Sequence, residues 1–310
     1  MPGRILVVGS YLLGIAMQVE AFPAAGETVV AGGIGRGHGG KGSNQAIQAA
    51  RCGAPVRLLS AVGLDEAGNH AARQWAADGI DSDLVERSAE EATGLGFILV
   101  NPKGENQIVI DPGATARCDA LFVSRRREAF ADVAIVLTQL EIPVTGAIAA
   151  LEEGRRQGAV TILNPAPARA SLPDALFQAA DIVIPNEGEA QRLAGGGGIV
   201  ANGRALAARA RRAAVITAGP AGAYLFPSGG AAIRVAAPEL AIRDTTGAGD
   251  AFAGAFAARL AETGDLVDAT RQGTAAGSLA CTQHGVVPAL HRRAEIAALA
   301  RTLSEERLDS

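Results

Sequence analysis

Short apolar runs alternate with amphipathic stretches along most of this chain. Runs such as Ile5–Val8, bounded by glycine or polar residues, are typical of strands buried on both faces of a parallel sheet. Such strands are predicted at 4–9, 56–62, 133–137, 160–163, 181–185 and 214–217. Apolar residues at helical spacing predict helices at 43–52, 66–78, 144–157, 172–180, 201–212, 248–262, 265–283 and 292–306. The alternation predicts a mostly parallel sheet with helices on both faces, and such sheets bind ligands beyond the carboxyl ends of their strands.

Two regions interrupt this alternation. Residues 11–38 and 94–110 carry few helical signals and many Gly, Val and Ile residues, and the second reads as a hairpin with Pro-Lys-Gly-Glu at 102–105 as its turn. Both are predicted to form a small secondary sheet that covers a site. The tail after about Leu303 is polar and is expected to fray.

Composition limits the classes of function. The 310 residues, 48% hydrophobic and 19% charged, suit one α/β domain spanning 1–310. A net charge of −4, with no basic run longer than Arg125–Arg127, argues against a nucleic-acid partner. The three cysteines lack C-x-x-C spacing, which favours reduced thiols. Because neither an apolar run of about 18 residues nor a signal-peptide pattern is present, no membrane contact and a cytoplasmic location are expected.

The segment Ile242–Phe256 holds the strongest chemical signal. Gly247, Ala248 and Gly249 precede Asp250, and Phe252 begins an apolar helical pattern. A helix N-terminus offers unpaired N–H groups to an anion, and glycines allow close approach. An aspartate there would repel phosphate but could take a proton from an attacking hydroxyl. The alternative is that Asp250 only caps the helix.

Residues 35–42, Gly-Arg-Gly-His-Gly-Gly-Lys-Gly, imitate two nucleotide motifs. A dinucleotide fingerprint should follow the first strand, near Gly9, and a phosphate-binding loop needs Ser or Thr where Gly42 stands. A better interpretation is a glycine-lined helix start at 39–42, where Lys41 and Asn44 donate to the hydroxyls of a small polar ligand. A surface lysine and a capping asparagine remain the alternative.

Two further motifs follow predicted strands, where the topology places ligands. Asn186 and Glu189 are spaced to face one way on a first helical turn and could hold magnesium through its water shell, although simple capping fits equally well. Thr217, Gly219 and Gly222 suit phosphate or ribose contacts, and a plain turn would look the same.

Taken together, these motifs resemble the PfkB sugar kinase family and, within it, the ribokinases. The resemblance covers about residues 4–300 and rests on Gly9-Ser10, G-G-K-G-S-N-Q-A from Gly39, N-P-A-P from Asn164, P-N-E-x-E from Pro185, and D-T-T-G-A-G-D-A-F from Asp244. It implies a ribokinase-like three-layer α/β/α sandwich with a small β-sheet lid, often paired as a homodimer through the lid. It also implies ATP-dependent transfer of the γ-phosphoryl group to a sugar hydroxyl.

The resemblance also implies roles for individual residues. Asp250 matches the general base, and Gly247, Ala248 and Gly249 match the anion hole. The sugar-binding positions are Gly40, Lys41, Asn44, Glu141 and Asp250. The positions that organise magnesium and phosphates are Asn186 and Glu189, and those of the nucleotide loop are Thr217, Gly219 and Gly222. Part of a monovalent-cation site, a potassium site in ribokinases, corresponds to Asp244, Thr246 and Gly285.

One segment departs from the family pattern. Ribokinases carry Asn and Asp in a G-S-x-N-x-D segment that grips sugar hydroxyls, whereas Leu12 and Gly14 stand at those positions here. The missing carboxylate would cost a few kcal/mol of ribose binding, at about 1.5–3 kcal/mol per hydrogen bond to a charged group. A different sugar, or a nucleoside with its apolar base near Leu12, fits as well. A non-catalytic sugar-binding regulator on the same fold is a third hypothesis.

Overall fold

In the computed structural model, residues 3–103, 105–169 and 171–308 are described. The strands within them are β1 (Arg4–Val8), β2 (Leu12–Gln18), β3 (Gly33–Gly39), β4 (Val56–Leu59), β5 (Ala61–Gly63), β6 (Glu86–Ser88), β7 (Thr93–Val100), β8 (Asn106–Gly113), β9 (Val133–Thr138), β10 (Val160–Leu163), β11 (Ile182–Val183), β12 (Ala213–Thr217), β13 (Ala223–Pro227), β14 (Ala232–Val235) and β15 (Glu305–Leu308).

The helices within the same residues are α1 (Lys41–Arg51), α2 (Glu66–Ala77), α3 (Ala120–Ser124), α4 (Val144–Arg156), α5 (Asp174–Ala179), α6 (Glu187–Ala194), α7 (Gly198–Arg209), α8 (Ala248–Thr263), α9 (Leu266–Ala280), α10 (Val286–Ala289) and α11 (Arg293–Ala300). Short 3-10 turns occupy Ala114–Arg117, Arg127–Phe130 and Gly219–Ala221.

A nine-stranded sheet forms the centre, in the order β15-β14-β13-β12-β11-β10-β9-β1-β4. Its strands from β12 to β4 run parallel, as predicted, with Ile5 of β1 opposite Val56 of β4 and Ile135 of β9. β13, β14 and β15 extend one edge in antiparallel fashion. The carboxyl ends of the parallel strands therefore share one edge of the sheet.

Both faces of this sheet are buried, which explains the continuous apolar runs. Ile5 and Val7 of β1 lie in one core with the buried faces of α1, α8 and α9, whereas Leu6 and Val8 lie in a second core that includes residues of α4 and α7. Successive strand residues point to opposite faces, so a strand covered on both sides needs apolar residues throughout. The predicted fold, helices on both faces of a mostly parallel sheet, is confirmed.

A second, four-stranded sheet, in the order β3-β2-β7-β8, is called the lid sheet below. Its strands fall in or next to the segments 11–38 and 94–110, which were predicted to be extended. β2 runs parallel to β7, and the other two pairs are antiparallel. The turn predicted at Pro-Lys-Gly-Glu includes Gly104, which lies outside the described residues.

Several sequence predictions differ from the structure. The helix predicted at 292–306 spans only Arg293–Ala300, and Glu305 and Glu306 at its predicted end lie in β15. The predicted strand 56–62 is divided at Ser60 into β4 and β5, which belong to different sheets. The expectation that the chain frays after Leu303 is wrong, because residues 305–308 form β15. This polar strand pairs with the exposed edge of β14, where Arg234 forms an ion pair with Glu306 at 3.5 Å. A partly exposed edge strand needs few apolar side chains, so composition alone does not reveal it.

Among the described residues, no helix combines the length and the apolar character that crossing a membrane requires.

Candidate functional site

The predicted site residues meet at the carboxyl edge of the central sheet. Ser10 follows β1 and Glu141 follows β9, and the next parallel strands lead to Asn164, Asn186 and Thr217. α1 and α8 bring in the two glycine-rich motifs. This placement agrees with the rule that ligands bind where parallel strands end.

The start of α1 packs tightly against the segment that follows β1. Gly40, the N-cap, has φ 86°, and a Cβ at Gly42 would lie only 2.5 Å from the carbonyl carbon of Gly9. Ser10 Oγ and the Lys41 backbone N–H both donate to Glu141 Oε2, at 2.5 and 2.7 Å. The glycines thus let the backbone come close enough for one partly buried carboxylate to tie three segments together.

Asp250 is not a helix cap. Gly247 is the N-cap of α8, with φ 83°, and no side chain caps this helix. The Asp250 carboxylate is 5% exposed and accepts from Asn44 Nδ2 at 2.9 Å and from Gln45 Nε2 at 3.0 Å. The same contact shows that Asn44 is not a cap of α1. Asp250 therefore turns towards α1, beside the open N-terminus of its own helix.

Two buried amides near Asp250, those of Gln45 and Gln139, are not among the site residues predicted from the sequence. Gln45 also donates to Asn164 Oδ1 at 3.0 Å and accepts from Gln139 Nε2 at 2.7 Å. Gln45 lies inside the G-G-K-G-S-N-Q-A motif, and Gln139 lies just beyond β9. Position at the end of a parallel strand is the signal that could have identified Gln139.

Around Lys41, the negative charges of the carboxylates outnumber the one positive charge of its ammonium group. The pKa of Lys41 is raised, mainly by the negative charge of the Asp250 carboxylate. Burial lowers this pKa, whereas Glu141 and Glu189 raise it further. Burial raises the pKa of Glu141 and of Glu189, and the charge of Lys41 opposes both shifts. A pocket with several carboxylates around one ammonium group suits a cation more than a free anion.

A cavity of about 590 Å³ opens next to the N-terminus of α8. Thr217, Gly219 and Gly222 line it on one side, and Ala248 and Gly249 line it on the other. Gly222 has φ 95°, and a Cβ there would lie 2.0 Å from the carbonyl oxygen of Val235. The structure therefore brings the predicted nucleotide loop and the predicted anion hole to one cavity.

Asn186 and Glu189 form a reciprocal capping box at the start of α6. Asn186 Oδ1 accepts from the Glu189 N–H at 2.8 Å, and Glu189 Oε2 accepts from the Asn186 N–H at 2.9 Å. The capping alternative is thus confirmed. It leaves Glu189 Oε1 without a capping partner, so the box does not prevent this carboxylate from contacting a hydrated cation.

The three residues of the predicted monovalent-cation site lie together. Asp244 Oδ1 accepts from the Thr246 N–H at 2.9 Å, and Oδ2 accepts from the Gly285 N–H at 3.1 Å. Partial burial opposes the shift, but the hydrogen bonds from Thr246 and Gly285 hold the pKa of Asp244 below its usual value. In the described part of the chain, no group of three or more His, Cys, Asp or Glu side chains could hold a metal ion.

Leu12 and Gly14 lie on one face of the lid sheet, and Leu12 is beside the site. A Cβ at Gly40 would lie 2.7 Å from the backbone nitrogen of Leu12. The Leu12 side chain is 5% exposed and covers Gly94, its partner on β7. Gly14 has room for a side chain, since a Cβ there would meet Gly37 O at 3.5 Å and Ile98 Cδ1 at 3.8 Å.

Comparison with known proteins agrees with this geometry. The chain is similar to the ribokinase of Staphylococcus aureus (strain COL), at 34% identity over 294 residues that cover 92% of this chain and 95% of that protein. It is also similar to a deoxyribokinase of Salmonella typhi, at 31% identity over 286 residues that cover 91% and 93%.

A solved structure of Arabidopsis thaliana ribokinase complexed with ribose and ATP matches with a TM-score of 0.90 at 29% identity, covering 97% of this chain and 99% of that one. A family model described as pfkB family carbohydrate kinase matches residues 3–293. The predicted resemblance and the predicted enzyme class, an ATP-dependent carbohydrate kinase, are confirmed. The chain belongs to the pfkB family of carbohydrate kinases.

Proposed function

We propose that this enzyme transfers the γ-phosphoryl group of ATP to a hydroxyl of a small carbohydrate, with Asp250 as the general base. The observation that carries the proposal is the position of the Asp250 carboxylate. It is buried in the first turn of α8, whose N-terminal residues Ala248 and Gly249 line the 590 Å³ cavity. A base next to unpaired N–H groups is the arrangement that phosphoryl transfer to an alcohol requires.

The proposed reaction is a single displacement at phosphorus. The acceptor oxygen forms a bond to the γ-phosphorus while the bond to the oxygen that bridges the β- and γ-phosphates breaks. The hydroxyl proton passes to the Asp250 carboxylate, and ADP carries away the electron pair of the broken bond. The N–H groups of Gly247, Ala248 and Gly249 would stabilise charge on the transferring group.

The remaining predicted residues would hold the two substrates. Thr217, Gly219 and Gly222 line the side of the cavity that we assign to the nucleotide. We place the acceptor beside the base at the start of α1, where Asn44 donates to Asp250 and Glu141 accepts from the backbone N–H of Lys41. Gly40 is the N-cap of this helix. This arrangement puts the acceptor hydroxyl between Asp250 and the γ-phosphate.

Two cations complete the proposal. Magnesium, when bound, would neutralise charge on the phosphates. The excess of buried carboxylates fits such a cation, and Glu189 would contact its water shell, with Asn186 fixing the start of α6. Potassium would bind near Asp244, Thr246 and Gly285, because the Asp244 carboxylate supplies negative charge there and loop carbonyl oxygens are suitable ligands.

We place the enzyme in the cytoplasm. Cys52, Cys118 and Cys281 are free thiols in the structure, which suits a reducing compartment, and ATP is the proposed phosphoryl donor.

Asp250→Asn should lower kcat by about 10²–10⁴-fold, because an amide cannot accept the hydroxyl proton. Binding of nucleotide and acceptor, measured by calorimetry, should persist. Asp174→Asn is a suitable control, since that carboxylate is exposed and pairs with Arg209 far from the base in the chain. Wild-type turnover by Asp250→Asn, with wild-type turnover by the control, would contradict the assignment of the base.

Removal of magnesium by a chelator should abolish ADP release, and replacement of potassium by tetramethylammonium should lower kcat at least about tenfold. The Asp244→Asn variant should lose the response to potassium, because its carboxylate charge is gone. Steady-state ADP release across a potassium titration measures both effects. Equal activity with and without potassium in the wild-type enzyme would refute the monovalent-cation site.

A nucleoside is the second candidate for the acceptor, and Leu12 favours it. A ribokinase and a deoxyribokinase match the chain at similar identity, 34% and 31%, so membership in the family does not specify the acceptor. Leu12 presents an apolar side chain beside the site, and Gly14 supplies no side chain. An acceptor with an apolar group near Leu12 would avoid leaving hydroxyls unpaired.

The double variant Leu12→Asn, Gly14→Asp should raise kcat/KM for ribose by about 10–10²-fold, since hydrogen bonds to a charged group contribute about 1.5–3 kcal/mol. The same variant should lower kcat/KM for nucleosides relative to the wild type. Leu13→Asn is the matched control, because residue 13 projects to the opposite face of β2. If the wild type already prefers ribose and the double variant gains nothing, Leu12 and Gly14 do not select the acceptor.

We also propose that the lid sheet closes over the acceptor and pairs two copies of the chain. It exposes large apolar side chains: Phe97 at 38%, Ile110 at 42%, Ile108 at 53%, Ile34 at 63% and Val109 at 69%. Ile108 and Ile110 lie on the face that carries Leu12, whereas Ile34, Phe97 and Val109 lie on the opposite face. A second copy could bury Ile108 and Ile110 around a two-fold axis, since the same patch then serves both partners.

Sedimentation should therefore give a dimer, and Ile108→Asp with Ile110→Asp should shift it to a monomer, because burying two carboxylates is unfavourable. Leu121→Asp, at a residue of α3 that is 54% exposed, is the control and should remain dimeric. A wild-type monomer at micromolar concentration would contradict the proposed pairing.

A further inference from the structure

A chain of buried amides ends on the Asp250 carboxylate. Gln139 Nε2 donates to Gln45 Oε1 at 2.7 Å, and Gln45 Nε2 donates to Asp250 Oδ1 at 3.0 Å and to Asn164 Oδ1 at 3.0 Å. Gln45 is fully buried, Gln139 is 1% exposed and Asn164 is 7% exposed. Water therefore competes little with these hydrogen bonds.

Chemistry sets the direction of every link in this chain. A carboxylate only accepts hydrogen bonds, so Gln45 must present its NH₂ group to Asp250 and its oxygen to Gln139. Gln139 must then present its own NH₂ group to that oxygen. Asn164 is oriented independently, because its Nδ2 donates to the carbonyl oxygen of Ile184 at 2.7 Å. A reversed Gln45 amide would put its oxygen against the carboxylate and its NH₂ group against that of Gln139.

This arrangement leaves an oxygen of Gln139 unsatisfied. Gln139 Oε1 is buried without a hydrogen-bond partner. A Cβ at Gly9 would lie 2.1 Å from this atom, so the glycine leaves the space that the Gln139 amide occupies. Buried unsatisfied oxygens are rare in native proteins because they are destabilising. The direction of the hydrogen bond from Gln139 to Gln45 therefore fixes which end of the Gln139 amide is left without a partner.

The two oxygens of Asp250 are held by different donors. Asn44 Nδ2 donates to Oδ2, and Gln45 Nε2 donates to Oδ1. Under the proposed function Asn44 also contacts the acceptor, so it can move when the acceptor binds. Gln45 is enclosed by Asn164 and Gln139 and uses both N–H groups and its oxygen in the protein. It can therefore hold the plane of the carboxylate throughout the reaction.

We propose that Gln45 and Gln139 are positioning residues for the base, with Gln139 acting through Gln45. The proposal rests on the assignment of Asp250 as the general base. Gln139 fixes the orientation of the Gln45 amide, and Gln45 fixes Asp250 so that a lone pair faces the acceptor hydroxyl. A neutral amide does this without neutralising the charge of the carboxylate. A base displaced by about 1 Å loses about 10²-fold in rate.

The test is a double-mutant cycle of Gln45→Met and Gln139→Met, measured with the best acceptor from a panel of sugars and nucleosides. Each single variant should lower kcat by about 10–10²-fold and leave the acceptor KM within about threefold, because the loss falls on the reacting geometry. The double variant should be no slower than Gln45→Met alone, since Gln139 acts only through Gln45. Conservative Gln139→Asn should retain less activity than the wild type but more than Gln139→Met, because it keeps an NH₂ group on the Gln139 side of the Gln45 amide.

Gln48→Met is the matched control. Gln48 lies one turn further along α1, is buried, and donates to the carbonyl oxygen of His291 rather than to the base. This variant should keep the wild-type kcat, and thermal unfolding of all variants separates loss of activity from loss of fold.

Additive losses in the double variant, or a wild-type kcat in Gln139→Met, would overturn the positioning role. Asp250→Asn is measured in parallel. If Asp250→Asn is active, the assignment of Asp250 as the general base is wrong. If Asp250→Asn is inactive and Gln139→Met is fully active, only the positioning role of Gln139 is wrong.

Discussion

The structure depends on the buried contact between the Asp250 carboxylate and the amides of Asn44 and Gln45. The residues it joins are 206 and 205 positions apart in the chain, and they lie at the starts of two helices. Close packing of α1 and α8 makes the contact possible, since a Cβ at Gly254 would lie 2.5 Å from the carbonyl oxygen of Gln45. Both glycine-rich motifs are thus held together by one carboxylate that is almost inaccessible to water.

The electrostatics of the site follow from this burial. Asp250, Glu141 and Glu189 surround Lys41, and each carboxylate is also held by neutral N–H or O–H donors. Neutral donors orient a carboxylate without cancelling its charge, so the pocket stays negative. Under the proposed function, a triphosphate would approach this negative pocket together with cations. The same negative charge that suits proton abstraction therefore explains the proposed need for magnesium.

Under the proposed function, a different part of the molecule selects the acceptor. The face of the lid sheet that carries Leu12 continues with Gly14, Gly37 and Gly96, which present no side chains. Polar groups for the chemistry come from the rigid edge of the central sheet, whereas the lid sheet contributes shape. The proposed division would let one catalytic arrangement serve acceptors with different hydroxyl patterns.

The sequence by itself determined the sheet and the main site motifs. The buried parallel strands were predictable because a strand covered on both faces must be apolar throughout. The helix start at Gly247–Asp250 was predictable because glycines before an apolar helical pattern indicate a helix N-terminus. β15 was not predicted, because this polar edge strand forms through its pairing with β14 and has no apolar pattern of its own. Only the tertiary structure decided that Asp250 turns to α1 instead of capping its own helix, and that Gln139 aligns Gln45. These contacts join residues distant in sequence, and no local pattern of polarity records which buried donor meets which acceptor.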